Sequence, residues 1–212
     1  MKLRIAIAAV LAALFVVPAW AGGDYSKKDR AALVKYLKET QKNIEKATRG
    51  LSAEQWNFKQ AADRWSVADC LEHLTVTEEF LRDGLIRDRV LKTTPAPEKK
   101  NAENQAKNDA LVVKVIPDRS NRVQAPEMLR PTGKWPDPKD MLREFKARRK
   151  KTIEFVKTSN VDLRAYFMDS PVIKGMDAHQ WVLFLSAHAA RHTAQMLEVK
   201  ADANFPKKKS GY

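Results

Sequence analysis

The chain predicts an all-α fold, an up-down four-helix bundle with one long crossover connection between helices 2 and 3. Three observations carry that prediction. Helical periodicity recurs in four long segments, strand-like alternation is nearly absent, and glycine is scarce, at 7 of 212 residues. A proline-rich connection, residues 92–135, separates the second segment from the third, which suits a bundle with one crossover.

The first stretch, "MKLRIAIAAVLAALFVVPAWA", reads as a secretory leader spanning residues 1–21. Lys2 and Arg4 give it a positive start, residues 5–17 are apolar, and Ala19-Trp20-Ala21 has the small-x-small pattern of a cleavage site. The apolar run is short for a membrane span of roughly 20 residues. The expectation is therefore cleavage near Ala21, no stable membrane span afterwards, and a periplasmic or secreted protein. Removing 21 residues from 212 leaves 191, a length typical of one domain with a sizeable core. Residues 22–206 are expected to form that domain, and residues 207–212 a disordered basic tail.

The first helical segment covers residues 26–49, with Leu33, Leu37, Ile44 and Ala47 on one stripe and Ser26 and Asp29 spaced as a capping box. The second covers residues 66–91. Ser66 and Asp69 form its capping box, Trp65 can staple onto Cys70, and the stripe is Val67, Cys70, Leu71, Leu74, Leu81 and Leu85. The connection that follows holds five prolines and one short helical stretch near residues 103–115. The third segment, residues 138–159, starts with Asp137 as N-cap and Pro138 in the first helical position. Met141, Leu142, Phe145, Thr152, Ile153 and Val156 form its inner face. The fourth, residues 177–201, opens on Asp177 and Gln180 as a capping box, with Met176 placed to staple Trp181.

The chain carries 39 Lys and Arg against 26 Asp and Glu, a formal charge of +13. Such a surplus invites a nucleic-acid or anionic-surface reading. The basic residues are spread along helices among the acids, however, and the one dense cluster is "KARRKK", Lys146 to Lys151. An exported protein rarely meets nucleic acid, so most of this charge reads as solvated helix surface and no nucleic-acid partner is expected. The single cysteine, Cys70, cannot form an internal disulfide and reads as a small buried hydrophobe.

The chemistry lies in "LSAHAARHTAQML", where His188 and His192 project about 40° apart on the inner face of the last helix. His73 flanks the inner stripe of the second segment, and His179 should face elsewhere. A buried imidazole needs partners for both ring nitrogens. Two readings fit these three residues: core histidines held by ordinary hydrogen bonds, or three lone pairs turned to one divalent ion. The pair lacks the glutamate of H-E-x-x-H, because Ala189 and Ala190 follow His188, and so a zinc-protease reading fails.

The segments "LSAEQWNFKQAADRWSVADCLEHL" and "HAARHTAQ" together resemble the DinB-like (DinB/YfiT) superfamily of metal-dependent proteins. That family shows W-S-x-x-E/D-x-x-x-H on its second helix and H-x-x-R-H-x-x-Q on its last. Those motifs map onto Trp65, Ser66, Asp69 and His73, then onto His188, Arg191, His192 and Gln195. The segment "APEMLRPTGKWPDPKDMLREFKARRKK" also looks like the family's entry to the third helix. The resemblance implies a site for a divalent metal ion, zinc or nickel foremost, ligated by His73, His188 and His192 with a position open to water or substrate. Arg191, Gln195, Trp65 and Cys70 would stand around it, and Trp56 and Phe58 could wall its mouth.

Such a site is a Lewis acid and water activator. Relatives in the wider superfamily include thiol-dependent transferases and isomerases. The leading expectation is a metal-dependent hydrolase or thiol-linked transferase acting on a small molecule. A non-catalytic periplasmic metal-binding or stress-response protein is the alternative, and a basic surface-binding helical protein the third reading. Asp69, Glu72, Glu78 and Glu198 are the candidate general bases. The chain could also form a homodimer through its bundle faces.

Overall fold

The structure, a computed structural model, describes residues 25–120 and 123–207. The leader expected at residues 1–21 and nearly all of the basic tail lie outside the described residues. The described residues are mostly helical, with six α-helices and one two-stranded ribbon among them. In order they are α1 (Lys27–Thr48), α2 (Ala53–Asn57), α3 (Val67–Glu79), α4 (Ala102–Val115), α5 (Pro138–Thr158), β1 (Phe167–Met168), β2 (Met176–Asp177) and α6 (Ala178–Lys200). Helices α1 and α3 each pack on both α5 and α6, so these four surround one interior. Helix α4, inside the connection, packs on α6. No helix among the described residues is long and apolar enough to cross a membrane.

The helix starts follow from capping chemistry. Ser66 Oγ accepts from the Asp69 amide at 3.1 Å, and the Asp69 carboxylate accepts from the Ser66 amide at 2.9 Å. Asp177 and Gln180 exchange the same pair of bonds, at 2.8 and 3.0 Å. Asp137 accepts from the Lys139 amide ahead of Pro138. At α1 half of the expected box forms. Ser26 caps the Asp29 amide, while the Asp29 carboxylate is drawn instead to Arg164 at 3.1 Å. The short helix α2, unforeseen in the sequence, begins with a further capping box between Ser52 and Gln55.

Two expectations are corrected. The second segment is not α-helical to residue 91: after Glu79 it continues as a π-helix over Phe80–Arg87. Each π turn holds one residue more than an α turn, so the buried face passes from Leu81 to Ile86, and Leu85 is only half-buried. The "KARRKK" cluster is not wholly solvated surface either. Arg149, within it, falls four residues after Phe145 on the inner face of α5 and is 0% exposed.

Arg149 explains how the interior is organised. Its guanidinium makes two 2.8 Å bonds to the Glu78 carboxylate of α3 and donates to Leu37 O and Thr40 Oγ1 of α1, both at 2.9 Å. Thr40 spends its own proton on Tyr36 O, which leaves Ser186 of α6 as donor in the 3.0 Å contact between the two hydroxyls. This polar layer divides the apolar interior in two. Leu33, Leu37, Leu81, Val156, Trp181 and Leu185 pack on one side of it. Ile44, Leu71, Leu74, Phe145, Ala189 and Met196 pack on the other.

A second ionic cluster ties down the ends. Arg164 pairs with Asp29 of α1, Asp109 of α4 and Asp177 at the start of α6. Beside it, His179 Nδ1 lies 2.6 Å from the Tyr25 hydroxyl. Burial, reinforced by the Arg164 charge, lowers the His179 pKa to about 4.

Removing one partner of a buried ion pair strands the other, at a cost of about 3–5 kcal/mol. Arg149→Met should therefore destabilise the protein by that amount in urea unfolding. The double variant Arg149→Met/Glu78→Leu should recover most of the loss.

Candidate metal centre

His73 comes from α3, and His188 and His192 come from α6. Each ring is fixed through a different partner. His73 Nδ1 donates to the Leu129 carbonyl at 2.7 Å, since a carbonyl can only accept, and its Nε2 is left as a bare lone pair. His192 Nδ1 lies 2.9 Å from Gln195 Oε1. Arg119, an obligate donor, also reaches that oxygen at 3.1 Å, which identifies it as the amide oxygen and His192 Nδ1 as the donor. The Nε2 of His192 is therefore a bare lone pair too.

His188 Nε2 sits between these two lone pairs, 3.2 Å from His73 Nε2 and 3.1 Å from His192 Nε2. One proton on His188 Nε2 can be given to one of these lone pairs and leaves the other without a donor. A cation at the centre serves all three. Metal–nitrogen bonds of about 2.0–2.1 Å at tetrahedral angles separate ligand nitrogens by about 3.3 Å, close to the 3.2 and 3.1 Å found at His188, and all three ligand atoms lie within 4.8 Å of one another. The residues present thus fit a divalent ion held by three imidazoles.

Burial disfavours the charged form of all three imidazoles. Burial lowers the pKa of His73, and with the neighbouring charges of His73 and Arg191 it lowers that of His192 to about 3. The same causes place His188 well below the usual histidine range. Neutral imidazole is the form that ligates a metal.

The surroundings are aromatic on two sides. The Trp65 ring lies 4.9 Å from His73 and stacks on His192 at 5.7 Å. Phe184, one turn before His188, stacks parallel to it at 6.2 Å. His73 and His192 are buried, whereas His188 is half-buried.

The connection before α5 supplies the outer supports, which the sequence did not reveal. The Glu72 carboxylate, next to His73, accepts from the amides of Thr132, Gly133 and Lys134 at 2.7, 3.0 and 3.2 Å. Gly133 has φ of +78°, a value that favours glycine and lets successive amides curl around one anion. That anchor holds the segment carrying the Leu129 carbonyl. Arg119 is in turn fixed by both carboxylate oxygens of Glu198, at 2.6 and 2.7 Å. Arg191 donates to the Asp118 carbonyl and so also holds the connection.

Cys70 is fully buried among Val67, Leu71 and Leu74, and burial pushes its thiol well up, away from the thiolate a metal would take. Trp56 is buried in the same cluster, and Phe58 pairs edge-on with Phe205 at 5.6 Å. Each candidate base already has a structural partner: Asp69 caps α3 and meets Lys59, Glu72 anchors the connection, Glu78 binds Arg149, and Glu198 binds Arg119. His179 lies in the Arg164 cluster and takes no part.

Removing a group that orients a metal-bound histidine typically costs about 10–100-fold in metal affinity. Gln195→Ala should show that loss in chelator competition, and Arg119→Ala a smaller one.

The family model described as the DinB superfamily matches residues 36–196. The chain is also similar to a Bacillus subtilis (strain 168) protein named "Uncharacterized protein YuaE", at 28% identity over 152 residues, 72% of this chain and 87% of that protein. No solved structure matches the chain significantly.

Proposed function

Since the chain belongs to the DinB superfamily, we propose that it is an exported metal-dependent enzyme, its divalent ion held by His73, His188 and His192 in an up-down four-helix bundle. The observation that carries this reading is the paired short contact at His188 Nε2, which a single proton cannot serve and a cation can. Zinc or nickel suits three neutral imidazoles. When bound, such an ion with an open position supplies Lewis acidity and a nucleophile at neutral pH.

The chain's own residues do the rest. Leu129 O and Gln195 Oε1 hold protons on the outer nitrogens of His73 and His192, so both rings keep a lone pair for the ion. Trp65 and Phe184 cover two sides of the cluster and exclude water from the imidazole faces. A small molecule would approach the ion at the half-buried edge of His188. Asp69, Glu72, Glu78 and Glu198 are each already engaged, which favours a hydrolase or thiol-linked transferase whose nucleophile is activated by the ion rather than by a carboxylate base. The same observation supports the alternative, a non-catalytic metal-binding protein outside the cytoplasm.

Metal analysis tests the first step. The purified protein should retain about one zinc or nickel per chain after loading, and His188→Ala/His192→Ala should retain almost none. Loading at a free-ion concentration 100 times the Kd should raise stability by about 2.7 kcal/mol in the wild type alone. Equal, negligible metal in both proteins overturns the reading. Turnover of esters, amides or activated thiol acceptors that disappears in His73→Ala would mark an enzyme, and its absence across the screen would favour the alternative. N-terminal sequencing of exported protein should begin at Gly22.

A further inference from the structure

Among the described residues, threonine hydroxyls inside the helices follow one habit, with one exception. Thr40, Thr48, Thr75, Thr152, Thr158 and Thr193 each donate to the carbonyl four residues earlier, at 2.8 to 3.4 Å. That bond is the ordinary resting place of a buried helical hydroxyl. Thr77 in α3 does not make it. Its residue is 4% exposed, and its Oγ1 is buried with no hydrogen-bond partner. An unpaired buried hydroxyl is costly, and retaining one calls for an explanation.

Its position supplies one. Thr77 stands one turn beyond His73 on α3, about 6 Å along the axis and about 40° around it. Glu78, about 100° further round, faces α5 through Arg149, so the arc between His73 and Glu78 is turned inward, beginning at the side where His73 meets His188 of α6. Thr77 therefore stands on the inner side of α3, one turn beyond the residue that carries the His73 imidazole.

We propose that Thr77 is a ligand-binding residue of the metal centre, its hydroxyl donating to an oxygen that occupies the open position of the ion. The inference rests on the metal reading above and adds to it a class of ligand: an oxygen-bearing group able to accept a hydrogen bond, such as a water, a hydroxide or a carboxylate. The hydroxyl leaves its own helix carbonyl unused because its partner arrives with the ligand.

The test uses cobalt(II)-loaded full-length protein titrated with acetate, followed by visible absorption. Thr77→Val keeps the shape of the side chain and removes the donor, and Thr77→Ser restores the donor. Acetate affinity should fall about tenfold in Thr77→Val, the worth of one hydrogen bond to an anion, and return to within about twofold of wild type in Thr77→Ser. Cobalt affinity by chelator competition should be equal in all three, since no ligand has changed.

Stability gives an independent readout. Losing an unpaired buried hydroxyl should leave the Tm of metal-free Thr77→Val equal to wild type or raise it by about 2–4 °C. Acetate affinity unchanged in Thr77→Val overturns the inference and assigns the hydroxyl to a buried water. A Tm clearly below wild type overturns it also, by revealing a partner within the protein. A wild-type protein that takes up no cobalt removes the metal reading itself, and this inference with it.

Discussion

Arg149, Glu78, Thr40 and Ser186 form a chain of hydrogen bonds through the middle of the interior, one residue from each of α5, α3, α1 and α6. Apolar packing alone tolerates small slides of one helix along another, because Leu against Leu is much the same after a shift. A guanidinium held in a fork by one carboxylate is far less tolerant, since its planar donors match the acceptor in one geometry. The polar layer thus sets the height of α3 against α5 and, through α1, of α6. The three imidazoles depend on that setting. His73 lies five residues before Glu78, and His188 two residues after Ser186, so an error in this layer would open the nitrogen contacts at the cluster.

What the sequence disclosed about fold and site follows the range of the interactions concerned. Ser66 with Asp69 and Asp177 with Gln180 are local bonds, written within four residues, and their spacing announces them. The inner stripes of α1 and α6 depend on periodicity alone, and so does the inward phase of His188 and His192. Long-range partners are silent. Leu129 supports His73 with a backbone carbonyl, which any residue type could supply, and Arg119 is one arginine among many until Glu198 and Gln195 close around it. Arg149 misleads for a related reason: charge in a basic run suggests solvent, and its carboxylate partner is 71 residues away. The shift to a π-helix at Phe80 leaves its trace only in the five-residue step from Leu81 to Ile86.

The division of labour between the two buried charge clusters bears on function. The Arg164 cluster binds the start of α6, helix α4 and the start of α1 together, and it absorbs His179, the histidine that is not in the triad. The imidazole cluster has no carboxylate within its ligand set and is supported by neutral acceptors, a backbone carbonyl and an amide. With three neutral ligands, a divalent ion there keeps its full double positive charge, the condition under which bound water is most strongly acidified.

The π-helical turns after Glu79 have an evolutionary consequence. A stretch carrying surplus residues is a reserve of length: deleting one there allows the turn to close as ordinary α-helix, with the change confined to its own end. Because the surplus lies after His73 and Glu78 and before the long connection, a one-residue change of length there leaves both residues in place. A chain shorter by one residue between Phe80 and Arg87 can therefore keep the same three imidazoles together, because the lost residue is taken from the widened turns and not from the helix that carries His73.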